Sequence, residues 1–268
     1  GSDRPDKREY VQLTEDDLEE KAIFGEIGYH FTDAWQLTAG ARYFDYEEKV
    51  QICTDFPLVN GLPSGYDFSC DPNKVSDSDF IFKLNTSVDL SADLTAYATY
   101  SEGYRIGGVN SGQPCPDPLP PGPAYCLYPD EVLIKPDTTR NYEIGAHSAW
   151  LDRRLIVNGA LFWIDWQDIQ IASTSVNGAM PITGNGGEAR SVGVELSTEF
   201  MLDEHWSLRG SYAYADAELT EDAPGVVDGV ADGRDGDRLA GTPEHKGAFG
   251  LRYTTAIASG RRITADYG

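Results

Sequence analysis

The chain has 268 residues and a formal net charge of -23, with 21 Lys and Arg against 44 Asp and Glu. That balance argues against nucleic acid as a partner, because phosphate binding needs clustered basic side chains. No stretch approaches the 18 or more apolar residues that a spanning helix requires, and 28 Gly, 15 Tyr and only 2 Met favour an all-β protein rich in turns.

The first predicted hairpin follows a polar, acidic stretch over residues 1–20, which we expect to be a loop. From Lys21 the chain becomes extended, turns at Thr32-Asp33-Ala34 and returns as a second arm. Alternate residues of a strand point to one face of a sheet. The face of the second arm that this period makes apolar consists of Trp35, Leu37, Ala39, Ala41 and Tyr43.

The second predicted hairpin lies between two long loops, at about residues 51–78 and 106–136. Its arms alternate over residues 80–90 and 94–105, with a short turn at Ser91-Ala92-Asp93. The loop that follows contains a proline cluster from Pro116 to Pro123, which a sheet interior would not accept.

The third predicted hairpin is the longest, with arms over residues 138–150 and 154–171 and a turn at Leu151-Asp152-Arg153. Each arm exceeds the usual strand of about 5–6 residues. A strand that crosses a bilayer needs about 9–11 residues, with aromatic girdles at both interfaces. The face predicted to be apolar in the first arm consists of Tyr142, Ile144, Ala146, Ser148 and Trp150.

The remaining strands repeat the pattern. A loop at about residues 172–187 precedes a hairpin that turns at Met201-Leu202-Asp203, and an acidic loop at about 217–245 follows it. A further strand contains residues 247–253, and after a turn near 257–260 the last strand begins at Arg261.

The alternation of short turns with long loops over about ten strands predicts the fold class. A transmembrane β-barrel has short periplasmic turns and longer extracellular loops, and its lumen-facing polar residues conceal it from hydropathy averages. An immunoglobulin-like or jelly-roll sandwich has shorter strands and no reason to alternate loop lengths. We therefore predict an all-β, antiparallel transmembrane barrel.

Four cysteines form two local pairs, Cys53 with Cys70 and Cys115 with Cys126, each within a Pro-, Gly- and Asp-rich stretch. Metal ligation would need CxxC or Cys/His spacing, which is absent. We predict two loop disulfides in an oxidising compartment, although other pairings stay open at this point.

Several segments also resemble one family in their order and spacing: EKAIFGEIGYHFTDAWQLTAGARYFDYE, YATYSEGYRIGGVN, KPDTTRNYEIGAHSAWLDRRLIVNGALFWIDWQDIQ, NGGEARSVGVELSTEF and GDRLAGTPEHKGAFGLRY. They are similar to the barrel of proteobacterial TonB-dependent outer-membrane receptors. The resemblance implies a 22-stranded barrel with an N-terminal plug. It also implies uptake of a scarce nutrient, such as a ferric siderophore, cobalamin or a carbohydrate, energised through the TonB complex.

The same resemblance sets the expected domain organisation. Nothing in the sequence is similar to the plug or to the TonB box, and the last strand lacks the terminal aromatic residue of a complete barrel. We therefore expect residues 1–268 to be an internal part of the barrel domain, with about ten of the 22 strands, in contact with outer-membrane lipid.

Candidate functional residues lie at the long loops. Aromatic and guanidinium groups at Tyr104, Arg105, Tyr125 and Tyr128 are the predicted contacts to a small-molecule nutrient. The sequence shows no nucleophile motif, no phosphate-binding glycine loop and no metal-ligand cluster, so neither an enzyme nor a cofactor is predicted. We expect Glu143, Glu195 and Glu199 to line the lumen rather than to act as catalytic carboxylates. The acidic stretch Asp228–Arg238 offers oxygen ligands for calcium at Asp232, Asp235 and Asp237, but it lacks EF-hand spacing, so we expect a solvated loop.

The sequence leaves three functions open. The favoured one is an energy-coupled receptor, the second is a passive porin-like barrel, and the third is a secreted lectin-like or adhesion protein. Carboxylates in the fourth loop would repel an anionic ferric chelate, which mildly favours a neutral or cationic cargo.

Overall fold

The computed structural model describes residues 6–57, 61, 64–115, 126–175, 180–223, 233–257 and 261–268. The strands are β1 (Val11–Thr32), β2 (Trp35–Asp55), β3 (Ser69–Ser91), β4 (Leu94–Arg105), β5 (Gly108–Val109), β6 (Leu133–Ile134), β7 (Asp137–Trp150), β8 (Leu155–Gln167), β9 (Gln170–Thr174), β10 (Pro181–Asn185), β11 (Ala189–Met201), β12 (Trp206–Leu219), β13 (His245–Ala256) and β14 (Arg262–Tyr267). Ten of them form one antiparallel sheet in the order β1-β2-β3-β4-β7-β8-β11-β12-β13-β14, and two small hairpins, β5–β6 and β9–β10, lie within the loops. No helix long and apolar enough to cross a membrane occurs among the described residues.

The register gives the sheet one apolar face. Residues directly opposite each other on paired strands share a face, so Ala39 and Leu84 lie together, as do Gly159 and Leu196. Many of these side chains are large and exposed, among them Leu84, Ile144, Leu161 and Leu196. The apolar face also contains Trp35, Leu84, Ala146, Leu196 and Leu208, which the register places on one side of the sheet.

Aromatic residues mark both edges of the apolar face. Trp35 and Tyr43 on β2 are eight positions apart, and so are Tyr142 and Trp150 on β7. Eight residues correspond to about 26 Å along a strand, or about 20 Å across a membrane at a tilt near 40°. This height suits the apolar band of a transmembrane barrel.

Two of the short turns reverse the chain by different means. Leu151, Asp152 and Arg153 have φ values of 56°, 54° and 64°. In the turn between β11 and β12, Asp203 Oδ1 accepts hydrogen bonds from the backbone amides of His205 at 2.7 Å and Trp206 at 2.9 Å. These bonds lower the pKa of Asp203.

The strands at the long-loop end extend further than the sequence predicted. β1 begins at Val11, so the expectation of a loop over residues 1–20 is wrong from that residue onward. The predicted loop 51–78 is also too long, because β2 continues to Asp55 and β3 starts at Ser69. Beyond the apolar band both faces of a strand meet polar surroundings, so the alternation that revealed the strands disappears while the ladder continues.

The other long loops contain structure that periodicity did not predict. The second loop, residues 106–136, contains β5 and β6. The predicted strand 154–171 is wrong in its last part: β8 ends at Gln167, Asp168 has a φ of 53°, and β9 then pairs with β10 in a separate hairpin. We refer to residues 168–188 as the third loop.

Burial is concentrated beneath these loops. On β2, Phe44, Tyr46, Val50 and Ile52 are between 1% and 7% exposed. A second cluster of buried residues consists of Ile169, Ala189, Leu219 and Ala223. Among the described residues, the most enclosed ones therefore lie at the long-loop end, which positions the candidate site.

Candidate functional site

Arg105 ends β4 and lies opposite Asp137, the first residue of β7. Its Nε donates to Asp137 Oδ2 at 3.0 Å, and its terminal nitrogen forms an ion pair with the same oxygen. The Asp137 side chain is 2% exposed. A charge-assisted pair with one buried partner holds these strand ends together. Arg105, predicted to contact ligand, is therefore engaged within the protein.

The Arg105–Asp137 pair also forms hydrogen bonds with the third loop. The backbone amide of Gln170 donates to Asp137 Oδ2 at 3.0 Å, and the Gln170 carbonyl accepts from Arg105 at 3.1 Å. The Arg105 guanidinium also lies 5.6 Å from the centre of the Trp166 ring. Asp137 thus joins β4, β7 and the start of β9.

Three amide side chains then join the second and third loops. Gln170 Nε2 donates to the carbonyls of Ile106 and Lys135 at 2.9 and 3.0 Å. Asn185 accepts from the Lys135 amide at 2.9 Å and donates to the Lys135 carbonyl at 3.0 Å. Because its carboxamide both donates and accepts, the Asn185 side chain acts like a short piece of backbone ladder.

Asn110 makes the third connection. It is 6% exposed and donates to the carbonyls of Glu131 and Thr183 at 2.8 Å, while its Oδ1 accepts from the Thr183 amide at 2.8 Å. Its hydrogen bonds span both loops. The second and third loops consequently form one hydrogen-bonded unit, which sequence reasoning missed because isolated Asn and Gln residues carry no periodic signal.

Tyr104 faces a different set of neighbours. Its ring stacks on Phe44 with centroids 3.6 Å apart and an interplanar angle of 1°. Its hydroxyl donates to Glu20 Oε1 at 2.8 Å, and Arg42 pairs with the same carboxylate. Beside it, the Tyr46 hydroxyl accepts from the Gly107 amide at 2.9 Å. These contacts attach the end of β4 to β1 and β2, and the start of the second loop to β2.

The disulfide of the second loop joins Cys115 to Cys126, as predicted. Next to it, the Cys115 backbone amide donates to the Leu127 carbonyl at 2.7 Å, and Leu127 is fully buried. The Tyr128 amide donates to Glu131 Oε2 at 2.7 Å. Tyr125 lies outside the described residues. The described ligand candidates therefore have different neighbours: Tyr104 packs on Phe44 of β2, Arg105 binds Asp137, and Tyr128 lies beside Glu131.

The other predicted disulfide, Cys53–Cys70, is present too, but its location differs from the prediction. The two cysteines are direct register partners on β2 and β3 with Cα atoms 4.0 Å apart. This bond therefore links an extended part of the strand ladder. We call residues 11–20, 46–55 and 69–78 the three-stranded extension.

Charges on the extension are arranged in two ways. Glu47 is bound by Lys49 at 2.7 Å and Lys74 at 2.5 Å, and these hydrogen bonds lower the pKa of Glu47 to about 2. Glu48 behaves in the opposite way: burial, followed by the neighbouring Asp16 carboxylate, raises its pKa. Glu48 Oε2 is buried without a hydrogen-bond partner among the described residues.

The predicted lumen-facing carboxylates lie on the face opposite the apolar one. Glu143 accepts from the Tyr97 hydroxyl at 2.7 Å, and Glu199 lies 3.7 Å from Arg209. Glu195 lines the same groove as His147 and Lys246. The three carboxylates are dispersed, and Glu143 and Glu199 are paired with neighbours, an arrangement that suits a polar lining.

The acidic stretch is described only from residue 233. Asp228 and Asp232 lie outside the described residues. Asp237 Oδ2 accepts from the Arg234 amide at 2.8 Å, and Asp235 donates its amide to Asp222 Oδ1 at 3.0 Å. Within the described ranges, no group of three or more His, Cys, Asp or Glu side chains could hold a metal ion.

Comparison with known proteins gives consistent matches. The family model "TonB dependent receptor-like, beta-barrel" matches residues 2–267. The protein named "Probable TonB-dependent receptor BfrD" of Bordetella pertussis is 25% identical over 233 residues, which cover 87% of this chain and 28% of that protein. The metal-pseudopaline receptor CntO of Pseudomonas aeruginosa is 35% identical over 114 residues, covering 42% of this chain and 14% of the receptor.

Among solved structures, the ferric yersiniabactin uptake receptor FyuA of Yersinia pestis superposes with a TM-score of 0.70 at 18% identity. The match covers 97% of this chain and 35% of FyuA. At this identity the similarity supports the fold alone. The chain thus spans less than a third of the length of the curated relatives described above.

Proposed function

The chain belongs to the TonB-dependent receptor-like β-barrel family of the bacterial outer membrane, and from that premise we propose that it forms part of the barrel of a nutrient uptake receptor. In the proposed function the intact protein binds a scarce nutrient at the cell surface and imports it with energy from the TonB complex. A plug domain outside residues 1–268 would contact TonB. No step of this function requires catalysis by the chain.

Two observations together carry the proposal. The family model matches a sheet of ten neighbouring strands, and two loops at one end of that sheet are joined by hydrogen bonds. An uptake receptor needs a stable wall in lipid and loops that keep their shape around a solute. Here the ladder supplies the wall, and Asn110, Gln170 and Asn185 hold two loops together. Both features support a receptor more directly than a passive pore or a secreted lectin.

For the cargo we propose a metal chelate of the siderophore class, with cobalamin or a carbohydrate as the other members of the panel to be tested. The support comes from relatives that are named as a metal-pseudopaline receptor and as a ferrichrome outer membrane transporter. The acidic fourth loop favours a neutral or cationic chelate over a strongly anionic one.

The test uses the full-length receptor. Binding should be measured across ferric siderophores of different charge, cobalamin and oligosaccharides, and uptake should be compared in cells with and without a functional TonB. We expect saturable binding of at least one metal chelate and uptake that depends on TonB. Uptake that is equal in both strains would instead support a passive barrel.

The acidic loop can be tested separately by deleting Asp228 to Asp237. We expect the deletion to improve binding of anionic chelates relative to neutral ones. Unchanged affinity and selectivity for every ligand would remove this loop from cargo choice while leaving the uptake function intact.

A further inference from the structure

Strand β3 continues past its neighbour β4 at the long-loop end. The last pair between these two strands is Lys83↔Ser101, and β4 then pairs with β7 alone as far as Arg105. On its other side, β3 stays paired with β2 as far as Ser69. Among the described residues, the backbone of 69–82 therefore has a free edge on the β4 side.

The register shows which backbone amides point to this free edge. The Asp89 amide donates to the Ala34 carbonyl at 2.8 Å, on the β2 side of the strand. The register of β2 with β3 is unbroken, so odd-numbered residues of β3 bond to β2 and even-numbered residues point away from it. The pair Cys53↔Cys70 agrees, because its Cα separation of 4.0 Å fits a pair without ladder hydrogen bonds, for which about 4.5 Å is usual.

Carboxylates occupy three successive amides of the free edge. These are the amides of Ser78, Phe80 and Phe82. Asp77 Oδ1 and Asp79 Oδ1 accept from the first two at 2.8 and 2.7 Å. Glu102 Oε2 accepts from the third at 3.0 Å, one residue beyond the last pair between β4 and β3. We call these three carboxylates the edge caps. An amide that already has an acceptor is not available to a carbonyl of another strand.

The rest of the free edge offers few donors. Pro72 has no N–H, so only the amides of Lys74 and Ser76 lie between it and the first capped residue. Two copies of the receptor in one membrane have their β3 strands pointing the same way, so edge pairing between them would be parallel. It would place the edge caps of one copy beside those of the other, and like charges opposite each other destabilise a strand pair.

We propose that the edge caps Asp77, Asp79 and Glu102 prevent β3 from pairing with the β3 edge of a second copy of the receptor. A free strand edge is a template on which another chain can pair, and charged side chains and proline at the edge oppose this pairing. The caps lie on the free side of β3, so the β2–β3 ladder of one molecule does not depend on any one of them. The inference does not depend on which nutrient the receptor imports.

The test uses the full-length receptor in outer membranes, with the photo-cross-linking residue p-benzoylphenylalanine in place of Ser76, which is exposed. Parallel pairing would bring this position beside its counterpart in the second copy. We expect the variant Asp77→Ala/Asp79→Ala/Glu102→Ala to raise the yield of cross-linked dimer at least about tenfold, because three donors are released. The variant Asp77→Asn/Asp79→Asn/Glu102→Gln should stay close to the wild type, because each side chain keeps an acceptor oxygen.

A matched control removes three carboxylates of β1, β2 and β3 that bind no amide of the free edge, with Glu15→Ala, Asp45→Ala and Asp71→Ala. It should give the same yield of dimer as the wild type. Heat-dependent mobility in gels verifies that each variant is folded, and Asp79→Ala/Glu102→Ala serves if the triple variant is not. Equal yields from the alanine variant and the wild type would overturn the proposal. An equal rise in the amide variant or in the control would also overturn it, because loss of charge alone would then explain the pairing.

Discussion

The three-stranded extension and the joined second and third loops lie at the same end of the protein and each carries a disulfide, yet they are held in different ways. In the extension, backbone pairs run without a break from Val11↔Asp55 to Glu20↔Tyr46. The loops rely on the side chains of Asn110, Gln170, Asn185 and Asp137. A ladder thus shares its stability among many equivalent bonds, whereas a side-chain connection concentrates it in a few residues.

The largest loss of folding free energy is expected when a charged side chain replaces an apolar one on the lipid-facing side of a strand. Leu196 lies on the apolar face opposite Gly159, in the middle of β11. Leu196→Arg should cost about 2–4 kcal/mol of folding free energy in a bilayer. The matched change Ser197→Arg on the polar face should cost much less. Refolding of both variants into lipid vesicles measures the difference, and normal assembly of Leu196→Arg would contradict the register.

The two disulfides should contribute differently, because one lies in a loop and the other links paired strands. Each closes fewer than about 20 residues, for which the chain-entropy model predicts roughly 3 kcal/mol at most. Replacing Cys115 and Cys126 by Ser should make the second loop more sensitive to proteases. Replacing Cys53 and Cys70 should have a smaller local effect, because flanking ladder pairs hold β2 and β3 together. Peptide mapping without reduction should first verify both pairings; equal sensitivity would contradict the comparison.

Asp137→Ala removes the acceptor shared by Arg105 and Gln170. We expect a loss of about 1–3 kcal/mol in local stability, since the bonds from Arg105 and from the Gln170 amide to this buried carboxylate disappear, with faster amide exchange over residues 106–115 and 170–175. The control Asp77→Ala lies on the extension opposite Tyr46 and should leave exchange over 69–78 unchanged. Similar loosening by both variants would mean that the two regions are not held differently.

The smallest expected effect is on pH dependence within the extension. Glu48 has a raised pKa, so the cost of burying its charge is present at neutral pH and is relieved as pH falls toward 4.5, the value for an unperturbed Glu. Glu47, with a pKa of about 2, keeps its ion pairs over that window. The extension should therefore tighten between pH 7 and 4.5 and then loosen as pH falls from 4.5 to about 2, because Glu47 becomes protonated more readily in the unfolded chain. Protease sensitivity should show this tightening in the wild type and not in Glu48→Gln; the same profile in both would exclude Glu48 as the cause.

The sequence predicted the ten main strands because the membrane imposes a period of two on residues such as Tyr142, Ile144 and Trp150. It predicted both cysteine pairs because they are close together in the chain. The limits of the strands were missed at Val11–Glu20 and at Asp55, where polar surroundings on both faces remove the period. Strand length there is set by pairing with a neighbour, which a single segment does not reveal.

The candidate site was predicted less well, because its contacts join residues that are distant in the chain. Arg105 was predicted to contact a ligand, but its partner Asp137 is 32 positions away in the chain. Asn110 and Thr183 are 73 positions apart. Phe44 was overlooked because it lies on the face expected to be polar, where it stacks on Tyr104. Such pairings depend on how the loops fold over the strands.

The strict register of the wall has a consequence for how this protein tolerates insertions and deletions. One residue inserted between Tyr142 and Trp150 would reverse every side chain beyond it, exposing polar groups to lipid and apolar groups to the lumen. In a loop, doubling the length costs only about 0.6 kcal/mol of closure entropy. Changes in length should therefore accumulate in the loops while the strands keep their residue count, so new specificities can arise without any change to the part that crosses the membrane.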